Sequence, residues 1–142
     1  MRQILLFAAL AASLALLSGC ALSKTKKDTP EDMTGKAAYQ YHKISAEEAY
    51  EMMASQEVVV VDVRTREEYD GGHIENAVLV PNESIGSEMP DALPDKEATL
   101  LVYCRSGRRS KDAAQKLLAL GYQSVYDFGG VIDWPYELVK ER

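Results

Sequence analysis

Short apolar runs alternate in strict rotation with segments of helical character along most of this chain, and that rotation leaves few folds open to it. The runs are Tyr41 to Ile44, Val58 to Val63, Ala77 to Val80, Thr99 to Tyr103 and Ser124 to Phe128. Val58 to Val63 is β-branched and apolar except at Asp62, as expected of a strand buried on both faces. Between the runs, Ser45-Ala46-Glu47-Glu48 and Thr65-Arg66-Glu67-Glu68 are capping boxes. In each, the hydroxyl accepts from the third helical amide and the glutamate reaches back to the cap's own N–H. The first opens a helix toward Ala54, and the second a short helix stopped by Gly71-Gly72. An irregular polar stretch with Pro90 and Pro94 follows Pro81. Ser110 to Leu120 carries Ala113, Ala114, Leu117 and Leu118 at helical spacing, with Gly121 as its stop, and Gly129-Gly130 leads into a final helical stretch containing Trp134. Parallel neighbours are reached only by a crossover, so this order predicts an α/β fold, a small parallel β-sheet with helices on both faces.

The 142 residues include a segment outside that rotation. Met1-Arg2-Gln3, an apolar stretch from Ile4 to Leu17 and then Leu17-Ser18-Gly19-Cys20 form a secretory signal, too short for a comfortable membrane span. Leu-Ser-Gly-Cys resembles the lipobox of bacterial lipoproteins, which implies cleavage before Cys20 and a diacylglycerol on its thiol. The alternative is an ordinary cleaved signal with an incidental cysteine. The expected organisation is a signal peptide over 1–19, a lipid-anchored flexible tether over 20–38 and a folded domain over 39–142. The tether is polar and breaker-rich, and its cluster Lys24, Lys26 and Lys27 is read as solvated spacer, with contact to lipid headgroups as the alternative. This makes the protein extracytoplasmic in a bacterial cell envelope, anchored to the membrane rather than spanning it. The net charge of −6 argues against nucleic acid as a partner.

The chain has two cysteines, and lipidation of Cys20 leaves Cys104 without a disulfide partner. Cys104-Arg105-Ser106-Gly107-Arg108-Arg109 puts that thiol at the carboxyl end of an apolar strand, where open parallel sheets bind ligands. A loop this short can converge its amides on the sulfur as an anion nest. The amino terminus of the next helix adds partial positive charge, and Arg105, Arg108 and Arg109 add charge that never titrates away. All of these favour thiolate over thiol, so Cys104 is expected to be an ionised nucleophile at neutral pH.

The loop Cys104-Arg105-Ser106-Gly107-Arg108-Arg109-Ser110 resembles the active-site loop of rhodaneses. Val61-Asp62-Val63-Arg64, Glu67-Glu68-Tyr69, Gly72-His73-Ile74 with Ala77, and Gly129-Gly130-Val131 with Trp134 resemble that family's other motifs, in order, from about Tyr39 onward. Asn76 departs from the family's usual Gly; Asn tolerates a left-handed backbone, so the turn is expected to survive. The resemblance implies a single-domain sulfurtransferase that takes sulfane sulfur from a donor such as thiosulfate, holds it as a Cys104 persulfide and passes it to a thiol or to cyanide. Arg105, Ser106, Gly107, Arg108 and Arg109 are the expected substrate-binding residues, Arg105 and Arg108 facing the donor and Arg109 a candidate to brace the loop instead.

Asp62, Arg64 and Glu68 could serve acid–base chemistry, but their positions at strand and helix ends favour ion pairs that support the site. His73 is read as a turn or packing residue supporting the same region, and His42 as surface. Trp134 is read as packing, with a place at the site mouth as the alternative. The spacing implies no metal and no cofactor. The expected partners are a small sulfur donor, a thiol acceptor that could be a protein, and the membrane, with the chain itself a monomer. Two other classes stay open: a persulfide carrier or binding module serving a partner protein, and a cysteine phosphatase or arsenate reductase. The latter have a loop one residue longer, with the binding arginine where Ser110 stands here.

Overall fold

The computed structural model describes residues 39–140, and the signal, lipidation and tether readings of residues 1–38 lie outside them. Five strands form one parallel sheet: β1 (Tyr41–Lys43), β2 (Val59–Asp62), β3 (Val78–Leu79), β4 (Thr99–Cys104) and β5 (Ser124–Gly130), in the order β1-β5-β4-β2-β3. Helices α1 (Ala46–Ser55), α2 (Arg66–Asp70) and α3 (Arg108–Ala119) make three of the crossovers, and among the described residues no α-helix lies between β3 and β4. Both capping boxes form, with Ser45 and Thr65 each accepting from the N3 amide and Glu48 and Glu68 each closing the box.

Alternation along β4 separates two cores. Leu100, Val102 and Cys104 pack with Val61, Val63, Val125 and the Ala113, Ala114 and Leu117 stripe of α3. Leu101 and Tyr103 point the other way, into a core with Val60, Ala49 of α1, Tyr69 of α2, Ile74 and Phe128. The sheet is covered on both faces, as the β-branched strands require. Asn76 takes φ of 62°, the left-handed conformation expected of it.

Strand ends differ from the sequence reading by a residue or two, β5 running on through Gly129 and Gly130, and three further differences matter for the site. α3 begins at Arg108 rather than Ser110, which moves Arg108 and Arg109 from the loop onto the first turn of the helix. The final helical stretch is a single 3-10 turn, Val131–Asp133, with Trp134 just after it, and a second such turn, Asn82–Ser84, lies in the stretch read as irregular. One turn gives too few positions for apolar spacing to register, and the start of α3 carries none of the usual capping side chains.

Candidate active site

Cys104 ends β4 at the carboxyl edge of the sheet, with its side chain almost wholly buried and α3 beginning four residues later. Between them the chain turns back on itself at Gly107, whose φ of 94° is one that residues with a side chain rarely adopt. The turn aims the Gly107 N–H at the sulfur, 3.1 Å from Cys104 Sγ. No side chain caps α3, and the amide of its flanking residue Gly107 turns to the sulfur. Burial pushes the Cys104 thiol up, but hydrogen bonds from Ser110, Ser106 and Gly107 outweigh it and hold the group below the ordinary thiol range.

Two glycines form the floor of the loop. A side chain on Gly130 would run into the Arg105 carbonyl and lie 2.7 Å from Ser106 Cα, so the loop backbone rests directly on this residue. The Ser110 hydroxyl, fully buried, reaches the carbonyls of Gly107 at 3.1 Å and Gly129 at 3.3 Å. Ile132 N donates to the Arg105 carbonyl at 3.2 Å. Sequence reasoning left Ser110 unassigned and read the glycine pair only as a motif; a hydroxyl directly after the cysteine loop was the signal available.

The arginines divide in two. Arg105 and Arg108 are exposed at the rim, as is Ser106. Arg109 is half-buried and holds Glu68 of α2 with both terminal nitrogens, Nη1 to Oε2 at 2.7 Å and Nη2 to Oε1 at 2.8 Å. That bidentate pair is geometrically demanding and charge-assisted. The Arg109 guanidinium holds the Glu68 carboxyl at about 2, against the opposing effect of burial. Glu68 and the charge on Cys104 both keep Arg109 protonated.

The other predicted support residues sit one strand away. Asp62 and Arg64 form a buried pair, Arg64 Nη2 lying 2.6 Å from Asp62 Oδ2 and donating at 2.8 Å to the Gly72 carbonyl. The Arg64 guanidinium lies 5.5 Å over the ring of Tyr103, the residue before Cys104. His73 stacks on Tyr69 at 3.6 Å, places Nδ1 3.0 Å from the Tyr69 carbonyl and bridges through its backbone to Val139. His42 is half-buried and stacked on Tyr126 at 4.8 Å. Trp134 packs against Phe128 at 5.6 Å and Tyr136 at 5.0 Å.

The fold and the loop together define the class: a parallel α/β domain with one buried cysteine sulfur, accepting a loop amide, at the carboxyl edge of its sheet. The chain belongs to the rhodanese-like domain family, matching it over residues 45–135. It superposes on a rhodanese-like domain protein from Staphylococcus aureus with a TM-score of 0.61 and 32% identity, covering 71% of this chain and 99% of that one. A human single-domain sulfurtransferase aligns with a TM-score of 0.59 and 28% identity over 65% of this chain and 93% of that one. Over 112 residues, 75% of this chain, it is 34% identical to a tRNA uridine(34) hydroxylase of Hamiltonella defensa. The chain spans about a third of the length of that relative, 32%.

Proposed function

We propose that this domain is a sulfurtransferase working through a persulfide on Cys104. The observation that carries the reading is the Cys104 sulfur at the carboxyl end of β4, taking the Gly107 amide at 3.1 Å just ahead of α3. In the first half-reaction the Cys104 thiolate attacks the outer sulfur of thiosulfate. A sulfur–sulfur bond forms, the outer sulfur–sulfonate bond breaks, and sulfite leaves with that electron pair. In the second, an acceptor thiolate or cyanide attacks the terminal persulfide sulfur and the Cys104 thiolate departs. Neither half-reaction transfers a proton, so the site needs positive potential rather than a general acid. The amides and the rim residues Arg105 and Arg108 supply it, while Arg109 contributes through its brace to Glu68.

In this reading Cys20 carries the lipid and the domain works on the extracytoplasmic side of a bacterial membrane, as a monomer taking sulfur from a small donor. With Cys20 modified, Cys104 is the sole free thiol of the mature chain, so its sulfur passes to another molecule. The test is intact mass after incubation with thiosulfate. One added sulfur, absent in Cys104→Ala, is the expected result. Loading only from a persulfidated protein would favour the carrier reading. Hydrolysis of an aryl phosphate faster than sulfur transfer would favour a phosphatase.

A further inference from the structure

Asp127 of β5 is 1% exposed and has no part in the chemistry above. A buried carboxylate is costly unless its oxygens are satisfied, so its partners show what holds it there. Tyr41 OH donates to Oδ2 at 2.6 Å, Lys43 Nζ lies 3.4 Å from the same oxygen, and the Gly129 amide donates to Oδ1 at 2.9 Å. The last of these falls at a break in the sheet. Val102 of β4 pairs with Asp127, but Tyr103 pairs with Gly129, so Phe128 is an extra residue and β5 bulges. The bulge gives Gly129 its φ of 93° and brings Gly129 and Gly130 under the loop. A side chain on Gly107 would meet Gly129 Cα at 3.5 Å, one on Gly130 would overlap the loop backbone, and the Ser110 hydroxyl reaches the Gly129 carbonyl.

We infer that Asp127 is a positioning residue for Cys104: by accepting the Gly129 amide it fixes the bulge whose two glycines seat the loop that activates the sulfur. The inference rests on the proposed role of Cys104 as a nucleophile. Asp127 acts through the acceptor oxygen. Its charge is matched by Lys43, which is half in solvent, and an amide oxygen can take the Gly129 N–H equally well. The two requirements therefore separate in mutants.

The experiment follows the pH dependence of Cys104 alkylation by iodoacetamide, which needs no sulfur donor, alongside thermal unfolding to confirm that each variant is folded. Asp127→Ala is expected to move the midpoint upward by about one unit, so that alkylation slows about tenfold on the acidic limb. Asp127→Asn is expected to keep the midpoint at or below that of the native chain. A folded Asp127→Ala with the native midpoint overturns the inference, as does an Asp127→Asn displaced as far as Asp127→Ala. If Asp127→Ala does not fold, Gly129→Ala distorts the same floor directly and must raise the midpoint; an unchanged midpoint there overturns it too. A native chain that alkylates as a thiolate yet gains no sulfur from any donor defeats the sulfurtransferase reading and leaves this one standing.

Discussion

The pairing of Arg109 with Glu68 converts a cation that follows the Cys104 loop into a strut between α2 and α3. Its pH behaviour has a definite sign. Glu68 titrates at about 2 in the folded chain against an ordinary 4.5. The pair's contribution is therefore complete above 4.5 and is lost as the pH falls toward 2. Glu68→Gln should lower stability by about 1 kcal/mol at neutral pH, a figure discounted because the pair is partly open to water. Thermal unfolding of the two proteins should converge as the solution approaches pH 2, and a difference constant from pH 7 to 2 would contradict this account. Removing either rim arginine, Arg105 or Arg108, should leave folding untouched and weaken thiosulfate binding, seen as a raised KM.

Among the described α-helices, α3 alone begins without a capping side chain, and the Gly107 amide at its start turns to the sulfur instead. Activity and stability should therefore respond differently at different helix starts. Ser45→Ala at α1 removes an ordinary cap and should cost about 1 kcal/mol while leaving persulfide formation unchanged. Gly130→Ala pushes against the loop backbone and should slow persulfide formation about a hundredfold, the scale expected when a reacting group is displaced by about an ångström. Rates of sulfur loading by mass spectrometry, measured beside unfolding curves, separate the two effects. The α3 start was misplaced by two residues in the sequence reading for this same reason. A helix entered through a left-handed glycine, with no capping side chain, carries no local N-cap signature.

For the molecule as a whole, the proposed lipid on Cys20 makes a prediction independent of the catalytic loop. Cys20→Ser should release the protein from membranes into the soluble fraction with Cys104 still reactive; a variant still sedimenting with membranes would count against the lipobox. Within the domain, much was legible from sequence. The rotation of apolar runs and capping boxes identifies a parallel α/β sheet covered on both faces, and Cys104 through Ser110 marks the turn that holds the sulfur proposed above as the nucleophile. Both are local, because strand burial, caps and a six-residue loop act between near neighbours in the chain. What tertiary structure alone decided is which distant residues meet. Arg109 finds Glu68 across 41 positions and Tyr41 finds Asp127 across 86, and both contacts follow from the strand order β1-β5-β4-β2-β3. The bulge at Phe128 is likewise a slip between two strands and is invisible in either one alone. Apolar periodicity records that a strand is buried, but not which strand lies beside it, so the supports of the loop appear only once the sheet is assembled.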